Sequence, residues 1–143
     1  MSGGDRLPFF VYGTLRRGGG NHAWALAGRT VSERAAVLDG AHMHEGPGYP
    51  FVVPGGPGGV IGELVEVLPA HHSQVLADLD RLEGFVPGGS SNLYDRVVVE
   101  VRTADGTLVP ALTYVAAERL RERVRTLPPV PSGDWFGTRR MTP

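Results

Sequence analysis

The sequence has 143 residues, of which 41% are hydrophobic, and its 14 basic and 15 acidic residues give a formal net charge of −1. This length suits one hydrophobic core, and charges scattered along the chain provide no basic face of the kind that binds nucleic acid tightly. Cysteine and lysine are absent, which excludes disulfides, thiolate nucleophiles, cysteine-ligated metals and lysine Schiff bases.

The N-terminal part predicts a strand, a glycine-rich loop and a short helix. Residues 7–12 are apolar but too few for a signal-peptide core or a membrane span, so we expect a cytoplasmic protein without a membrane segment. Within them, residues 8–12 have the aromatic, apolar character of a buried strand. Residues 13–20 form the loop, and Asn21 is placed to cap a helix that runs to Gly28.

Glycine and proline break the middle of the chain into short extended segments. The predicted strands are residues 34–38, 41–44 and 51–53, with interruptions at Gly40, Gly46-Pro47-Gly48 and Pro50. Residues 60–67 form the next predicted strand, between Pro57-Gly58-Gly59 and Pro69. We therefore expect several short, bent strands in this region.

The clearest helix covers residues 70–83. Its apolar side chains share one face, and they are Val75, Leu76, Leu79 and Leu82. Gly84 stands just past the last turn, where a helix commonly stops. This arrangement places Glu83 at the helix terminus, where the chain turns.

The C-terminal part predicts a hairpin, a short helix and an irregular tail. Residues 93–102 and 107–116 are rich in β-branched and aromatic residues, and the Asp105-Gly106 pair between them predicts a tight turn. Residues 117–126 have the composition of a short, arginine-rich helix. The tail from Pro128 is expected to dock an aromatic side chain of Trp135-Phe136 on the body.

These elements indicate an α+β fold. Six or seven short strands and two or three helices occur without the regular alternation of a doubly wound parallel sheet. We expect a small mixed β-barrel, closed or partly closed, with flanking helices, in a single domain over residues 1–143.

The loop after the first strand is the first candidate for chemistry. Because the loop directly follows a strand, its main-chain N–H groups are free to converge on an anion or a developing oxyanion, and Gly13 lets a substrate approach the backbone closely. The loop contains neither G-x-x-x-x-G-K-[ST] nor a G-x-G-x-x-G that opens a long helix. A plain surface turn is the alternative interpretation.

Glu83 is the second candidate. The helix dipole disfavours an anion at a helix C-terminus and so raises the pKa of a carboxyl there, which suits general acid/base chemistry. A solvated carboxylate at a helix end is the alternative, and Asp80 and Glu63 are competing carboxylates.

The remaining polar candidates are tyrosines and histidines. Tyr12, Tyr94 and Tyr114 are either half-buried packing residues or pocket hydroxyls. His42 and His44 would share a face of a strand, but only His71-His72 could supplement them, and no H-E-x-x-H motif occurs. We therefore expect no metal site.

Taken together, two segments resemble the gamma-glutamyl cyclotransferase-like family, also called the AIG2-like family. FVYGTLRRG at residues 10–18 resembles the strand-and-loop signature of that family, and LDRLEG at residues 79–84 resembles the segment that carries its catalytic glutamate. Supporting matches are Gly62-Glu63-Leu64, Glu66-Val67, Leu93-Tyr94-Asp95-Arg96 and Ser132-Gly133-Asp134-Trp135, so the resemblance covers about residues 8–136.

The resemblance implies a compact mixed β-barrel that uses neither a metal nor an organic cofactor and acts on a small gamma-glutamyl substrate. The alpha-amine of that substrate would attack its own gamma-carbonyl, which gives 5-oxoproline and a free amine. The implied roles are general acid/base for Glu83, a backbone cradle for the glutamyl head at Tyr12, Gly13, Thr14 and Leu15, and pocket walls at Tyr94 and Tyr114.

The form of the loop also carries a branch-level resemblance. Tyr-Gly-Thr-Leu followed by Asn21-His22 is similar to gamma-glutamylamine cyclotransferases and to the deprotecting enzyme of the butirosin pathway, whereas the glutathione-acting branches carry serine at the position of Thr14. Because the loop would bind the shared glutamyl portion, the leaving group stays open among an amino acid, a polyamine, a lysine-derived amine and an aminoglycoside side chain.

Two other classes of function were weighed against the enzyme. The first is a non-catalytic small-molecule-binding or interaction protein on the same fold, which would need no acid/base at position 83. The second is an arginine-rich RNA-binding domain, which the net charge and the scattered arginines disfavour. The residues carry no signal of oligomeric state.

Overall fold

Five β-strands close into a mixed barrel in the computed structural model, which describes residues 6–135. The strands are β1 (Phe9–Val11), β2 (Thr30–Glu45), β3 (Pro50–Val67), β4 (Tyr94–Thr103) and β5 (Leu108–Ala116), and their order around the barrel is β1-β3-β2-β4-β5. The strand pairs are antiparallel except for β1 and β5, which run parallel and meet at Phe9 and Leu112. The predicted α+β fold with a mixed β-barrel and flanking helices is confirmed.

The helices of this region are α1 (His22–Ala25), α2 (His72–Glu83) and α3 (Arg121–Val124). The 3-10 turns Pro69–His71 and Glu118–Leu120 precede α2 and α3, so both helices are shorter than predicted. The predicted capping role of Asn21 is wrong, because its side chain makes no capping hydrogen bond to α1. The amide nitrogen of Asn21 instead donates to Thr14 Oγ1 at 2.8 Å, and its amide oxygen accepts from Trp24 Nε1 at 2.8 Å.

β2 and β3 form one long hairpin, which corrects the prediction of separate short strands. Asp39 pairs with Gly59 and Ala41 pairs with Pro54, so residues 55–58 bulge out opposite a single glycine, Gly40. Gly40, with φ of 75°, accommodates the irregularity without ending the strand. The hairpin therefore continues past its glycines to a turn at residues 46–49, which together with Pro50 is called the hairpin tip below.

Hydrophobic side chains pack on both faces of the barrel strands. One face packs against the helices, where Val75 and Leu79 of α2 are fully buried among strand residues such as Phe9 and Val65. Each fully buried aliphatic side chain of this size contributes about 1.5–3 kcal/mol. This packing fixes α2 on the barrel and so sets the position of its last residue, Glu83.

Alternate residues of the same strands form a second buried cluster, which the C-terminal segment completes. The main chain at residues 127–130 runs beside β2, where Glu45 N donates to the Pro128 carbonyl at 2.8 Å and Val130 N donates to the Met43 carbonyl at 2.9 Å. Trp135 is 2% exposed and packs in this cluster, which confirms the predicted docking of an aromatic side chain. Phe136, the other predicted aromatic, lies outside the described residues. Between residues 6 and 135, every helix is too short or too polar to cross a membrane.

Candidate active site

The C-terminal end of α2 delivers a carboxylate to the rim of the barrel. Gly84 has a φ of 69°, and the main-chain amides of Gly84 and Phe85 donate to the carbonyls of Arg81 at 3.2 Å and Asp80 at 2.8 Å. This left-handed turn closes the helix and reverses the chain directly after Glu83. The predicted position of Glu83, at the point where the chain turns, is confirmed.

The loop after β1 presents unused hydrogen-bond donors at the same place. Two main-chain bonds hold it in shape, from Arg16 N to the Gly13 carbonyl at 3.0 Å and from Asn21 N to the Thr14 carbonyl at 2.9 Å. Within residues 6–135, the main-chain amides of Gly13, Thr14 and Leu15 donate to no acceptor. Gly13 also lies against the hairpin tip, because a Cβ at this position would stand 3.1 Å from the Pro50 ring.

The loop, the helix end and the hairpin tip enclose two adjoining cavities. The inner cavity has about 390 Å³ of empty space, which includes solvent at its open mouth, and is lined by Phe10, Val11, Tyr12, Gly13, Thr14, Leu15, Tyr49, Pro50, Glu83, Tyr94, Thr113 and Tyr114. The outer cavity, of about 700 Å³, shares Thr14, Tyr49, Glu83 and Tyr94 with the inner one and adds Asn21, Gly48, Leu82, Gly84 and Leu93. Glu83 therefore lies at the junction of the two cavities.

Each of the three predicted pocket tyrosines uses its hydroxyl proton inside the protein. Tyr12 donates to the Tyr114 carbonyl at 2.5 Å and Tyr94 donates to the Pro50 carbonyl at 2.8 Å. Tyr114 donates to Asp80 Oδ1 at 2.5 Å. Burial raises the pKa of all three phenols, so they stay protonated at neutral pH, and their oxygens are left as hydrogen-bond acceptors.

Burial also raises the pKa of Glu83 from 4.5 to about 7. The sequence analysis assigned this shift to the helix dipole, whereas burial is its cause in the structure. Within the described part of the chain, the Glu83 carboxylate accepts no hydrogen bond and forms no ion pair. A carboxyl with this pKa exchanges a proton readily near pH 7, as a general acid/base must.

The two competing carboxylates have structural partners. Asp80 forms an ion pair with Arg96 and accepts the hydroxyl of Tyr114. Glu63 accepts the Arg17 main-chain amide at 2.9 Å and so holds the far side of the loop. Glu83 differs from both because it lines the two cavities and has no hydrogen-bond or ion-pair partner among the described residues.

Comparison with known proteins places this geometry in a family. The model of the family described as "Gamma-glutamyl cyclotransferase, AIG2-like" matches residues 9–137. The chain belongs to this family. The gamma-L-glutamyl-butirosin B gamma-glutamyl cyclotransferase of Niallia circulans is 36% identical over 107 residues, which cover 74% of this chain and 64% of that enzyme.

Solved structures of two relatives share the fold. An AIG2-like protein from Mus musculus superimposes with a TM-score of 0.67 at 27% identity, covering 90% of this chain and 88% of the mouse chain. YkqA from Bacillus subtilis superimposes with a TM-score of 0.68 at 25% identity, covering 95% of this chain but only 42% of its own. The chain thus spans less than two thirds of the length of the butirosin enzyme and less than half of YkqA.

All sequence-predicted site residues of this family member line the inner cavity, but several other lining residues were missed. Those that sequence reasoning did not assign to the site include Tyr49, Pro50 and Thr113, together with Asn21 in the outer cavity. Tyr49 directly follows Gly46-Pro47-Gly48, and an aromatic residue next to such a turn was the available signal. The length of the hairpin, which carries Tyr49 to Glu83, was not visible in the sequence.

The histidines considered for metal binding lie outside both cavities. The rings of His42 and His44 share a face of β2 with centroids 5.1 Å apart, and each Nδ1 is bonded to a main-chain carbonyl, of Gly55 at 3.1 Å and of Leu127 at 3.0 Å. His72 is bonded to the Leu7 carbonyl at 2.9 Å instead. Among residues 6–135, no group of three or more histidine, aspartate or glutamate side chains is placed to hold a metal ion.

Proposed function

We propose that this protein is a gamma-glutamyl cyclotransferase, which converts a gamma-glutamyl amide to 5-oxoproline and a free amine with Glu83 as general acid/base. Membership of the family and the activity named for the butirosin relative support the proposal. The observation that carries it is the half-buried carboxyl of Glu83, which has no partner among residues 6–135 and a pKa of about 7, between unused main-chain donors and acceptor-only phenol oxygens.

The two walls of the inner cavity complement the two charges of a gamma-glutamyl head. On one wall, the free amides of Gly13, Thr14 and Leu15 suit an anion, either the alpha-carboxylate or the oxyanion formed at the gamma-carbon. On the other wall, the oxygens of Tyr94 and Tyr114 suit the N–H donors of the alpha-ammonium group. We propose that this polarity orients the head across the cavity with its ammonium group toward Glu83.

The reaction is balanced without a protein nucleophile. Glu83 accepts one proton from the alpha-ammonium group, and the resulting amine attacks the gamma-carbonyl to close a five-membered ring. Glu83 returns that proton to the leaving nitrogen as the C–N bond of the amide breaks. Glu83 then carries a second proton from the ring nitrogen to the leaving amine. One of the three ammonium protons therefore stays on the lactam nitrogen, and two leave with the amine.

Three effects supply the rate enhancement. Holding the chain in its ring-closing shape contributes several kcal/mol of the roughly 7–11 kcal/mol that ideal orientation gives. One well-placed amide donor to the oxyanion contributes about 3 kcal/mol. Proton transfer through Glu83 adds a factor of about 10²–10⁴. None of these effects needs the cysteine or lysine that the sequence lacks.

The outer cavity supports a proposal about the leaving amine. Among residues 6–135, the lining of this cavity includes no arginine that could pair with an alpha-carboxylate on the leaving group. Tyr49, Leu82 and Leu93 offer aromatic and aliphatic surface, and Glu83 is the charged group of the lining. We therefore propose that neutral or cationic amines leave from this site, as in gamma-glutamylamines, rather than amino acids or peptides.

The same proposal treats residues 1–143 as one domain that works on a small molecule, without a cofactor and in the cytoplasm. The absence of cysteine is compatible with a reducing compartment. A match from residue 9 to residue 137 supports a single functional unit.

A substrate panel tests the proposal. Gamma-glutamyl-propylamide, gamma-glutamyl-putrescine and gamma-glutamyl-alanine are incubated with the protein, and 5-oxoproline is measured by mass spectrometry. We expect release from the first two with kcat/KM at least about 10-fold above that for the alanine conjugate, since a desolvated, unpaired carboxylate is strongly disfavoured. N-acetyl-gamma-glutamyl-propylamide, which lacks the attacking amine, is the matched control and should be inert.

Two results would contradict the proposal. Binding of all three amides without any 5-oxoproline would favour a non-catalytic binding protein on the same fold. Equal or better turnover of the alanine conjugate would leave the activity in place and reject the assignment of the outer cavity to neutral and cationic amines.

A further inference from the structure

Asp80 ties the last turn of α2 to two neighbouring strands. It lies three residues before Glu83, and its carboxylate accepts the Tyr114 hydroxyl of β5 at 2.5 Å. Its other carboxylate oxygen forms an ion pair with Arg96 of β4. Both carboxylate oxygens of Asp80 are thereby used to hold the helix end against the wall of the inner cavity.

Arg96 contacts the chain on both sides of Glu83. Its guanidinium group pairs with Asp80 before Glu83, and it lies over the ring of Phe85 after Glu83, 5.1 Å from the ring centroid. The side chains of Arg96 and Asp80 are only 24% and 19% exposed, so water screens their interaction weakly. The segment from 80 to 85 is therefore held at both ends by one side chain of the barrel.

We infer that Asp80 and Arg96 are positioning residues that set both the orientation and the charge environment of Glu83. The inference rests on the proposed function for its catalytic consequence, but the geometry of the contacts does not depend on it. Asp80 holds Glu83 through the helix backbone and through Tyr114, whose ring lines the cavity beside Glu83. Neither Asp80 nor Arg96 lines either cavity, so each acts through Glu83 rather than on the substrate.

The ion pair between Asp80 and Arg96 also bears on the charge environment of Glu83. The titratable and charged groups around Glu83 are Tyr12 of the loop, Tyr49 of the hairpin tip, Tyr94 and Arg96 of β4, Tyr114 of β5, and Asp80 and Arg81 of its own helix. The raised pKa values of Tyr12, Tyr94 and Tyr114 keep these phenols neutral near pH 7, and Arg81 is 77% exposed and directed to Asp78. Among these described groups, the partly buried charges are Asp80 and Arg96, and we expect their opposite signs to offset each other at Glu83.

Removing one member of the pair should move the Glu83 titration in a direction that depends on the member removed. Asp80→Asn deletes a negative charge and leaves Arg96 uncompensated, so the Glu83 carboxylate is stabilised and its pKa falls. Arg96→Met leaves Asp80 uncompensated, so the pKa of Glu83 rises. We expect a change of about 0.5–1 in the pKa of Glu83 when one of these partly buried charges is left uncompensated. Both changes loosen the same contact, so a purely structural role would not give opposite signs.

The experiment compares four variants of the full chain. Asp80→Asn, Arg96→Met and Arg96→Lys are measured beside Asp78→Asn, a matched control on the same helix whose partners are Arg29 at 2.9 Å and Gln74 at 2.9 Å. The carboxyl carbon of Glu83 is titrated by ¹³C NMR, assigned by its loss in Glu83→Gln, and kcat and KM for the best amide of the panel are measured across pH.

We expect the Glu83 carboxyl to titrate lower in Asp80→Asn, higher in Arg96→Met and unchanged in Asp78→Asn. Arg96→Lys loses the planar group that stacks on Phe85 but keeps the charge. Because the charge is kept, the Glu83 carboxyl of this variant should titrate as in the wild type. In Asp80→Asn and both Arg96 variants we expect kcat to fall about 10-fold or more with KM within about 3-fold, because a misplaced base slows the chemistry more than it weakens binding.

Specific results overturn the inference. Shifts of the same sign in Asp80→Asn and Arg96→Met, or wild-type kcat in both, would show that the pair only stabilises the fold. If Arg96→Met does not fold, by near-ultraviolet circular dichroism, Asp80→Asn and Arg96→Lys decide the matter between them. A wild-type protein that turns over no amide would reject the proposed function, while the carboxyl titration would still test the positioning role.

Discussion

Asp105 and Glu83 lie in contrasting environments, since one lowers the pKa of its carboxyl and the other raises it. In the turn between β4 and β5, Asp105 Oδ1 accepts the Thr103 hydroxyl at 2.6 Å and the Thr107 amide at 3.1 Å. These hydrogen bonds lower its pKa from 3.8 to about 2. At the end of α2, Glu83 receives no such donor from the described residues, and its partial burial raises its pKa to about 7.

The two regions differ in the hydrogen-bond donors that they offer the carboxylate and in its exposure to water. Asp105 is exposed and its Oδ1 accepts two hydrogen bonds, so its charged form is favoured in the folded protein and stabilises the Asp-Gly turn. Glu83 has exchanged water for an apolar and phenolic surrounding without gaining a donor, so its charged form is disfavoured. A protein retains such a carboxyl against its own stability when the group is needed for proton transfer near neutral pH.

The largest effect is expected on turnover when the carboxyl group of Glu83 is removed. Glu83→Gln removes the only group we assign to both proton transfers, so kcat/KM should fall by about 10³-fold or more while the far-ultraviolet spectrum stays unchanged. Asp105→Asn is the matched control and should keep wild-type turnover. Formation of 5-oxoproline at a near-normal rate by Glu83→Gln would rule Glu83 out as the base.

Glu83→Gln should also have a smaller effect, on the free energy of unfolding. The pKa of Glu83 is about 7 when folded and near 4.5 when unfolded, so the unfolded state ionises first as pH rises. Folding stability therefore falls between pH 4.5 and pH 7, by up to about 3 kcal/mol. Glu83→Gln lacks this loss, and urea unfolding should find it more stable than the wild type at pH 8 and no more stable at pH 4.

Asp105 should behave with the opposite sign in the same assay. Its folded pKa of about 2 lies below the unfolded value of 3.8, so its contribution is complete above pH 3.8 and disappears as pH falls toward 2. Asp105→Asn should be the less stable protein at pH 7, by a small amount because the site is exposed. A Glu83→Gln variant that is less stable than the wild type at pH 8 would contradict the burial of an unpaired carboxyl.

Local motifs made the site predictable from the sequence. Strand, loop and helix end each depend on neighbours in the chain, such as Gly84 after α2 or the apolar run before Gly13. The Asp105-Gly106 turn likewise encodes its own hairpin. The two resembling segments carry five of the seven candidate residues, Tyr12, Gly13, Thr14, Leu15 and Glu83, and all five line one cavity. Family resemblance therefore grouped them before their distances were known.

The features that the sequence analysis missed depend on contacts between residues far apart in the chain. Glycine and proline at residues 54–59 indicated a strand boundary, but the pairs Asp39–Gly59 and Ala41–Pro54 turn residues 55–58 into a bulge within one strand. The hairpin tip reaches the cavity only because that strand continues, so Tyr49 was missed. Asp80 was taken as a rival base because its partners, Arg96 and Tyr114, lie on strands far along the chain.

A crystal structure with 5-oxoproline bound would test the central claim most directly. The account predicts the product in the inner cavity, with its ring nitrogen about 2.6–3.2 Å from a Glu83 carboxylate oxygen and its ring carbonyl or carboxylate on the amides of Gly13–Leu15. Product held elsewhere, or a Glu83 side chain turned into bulk water with the product in place, would contradict it.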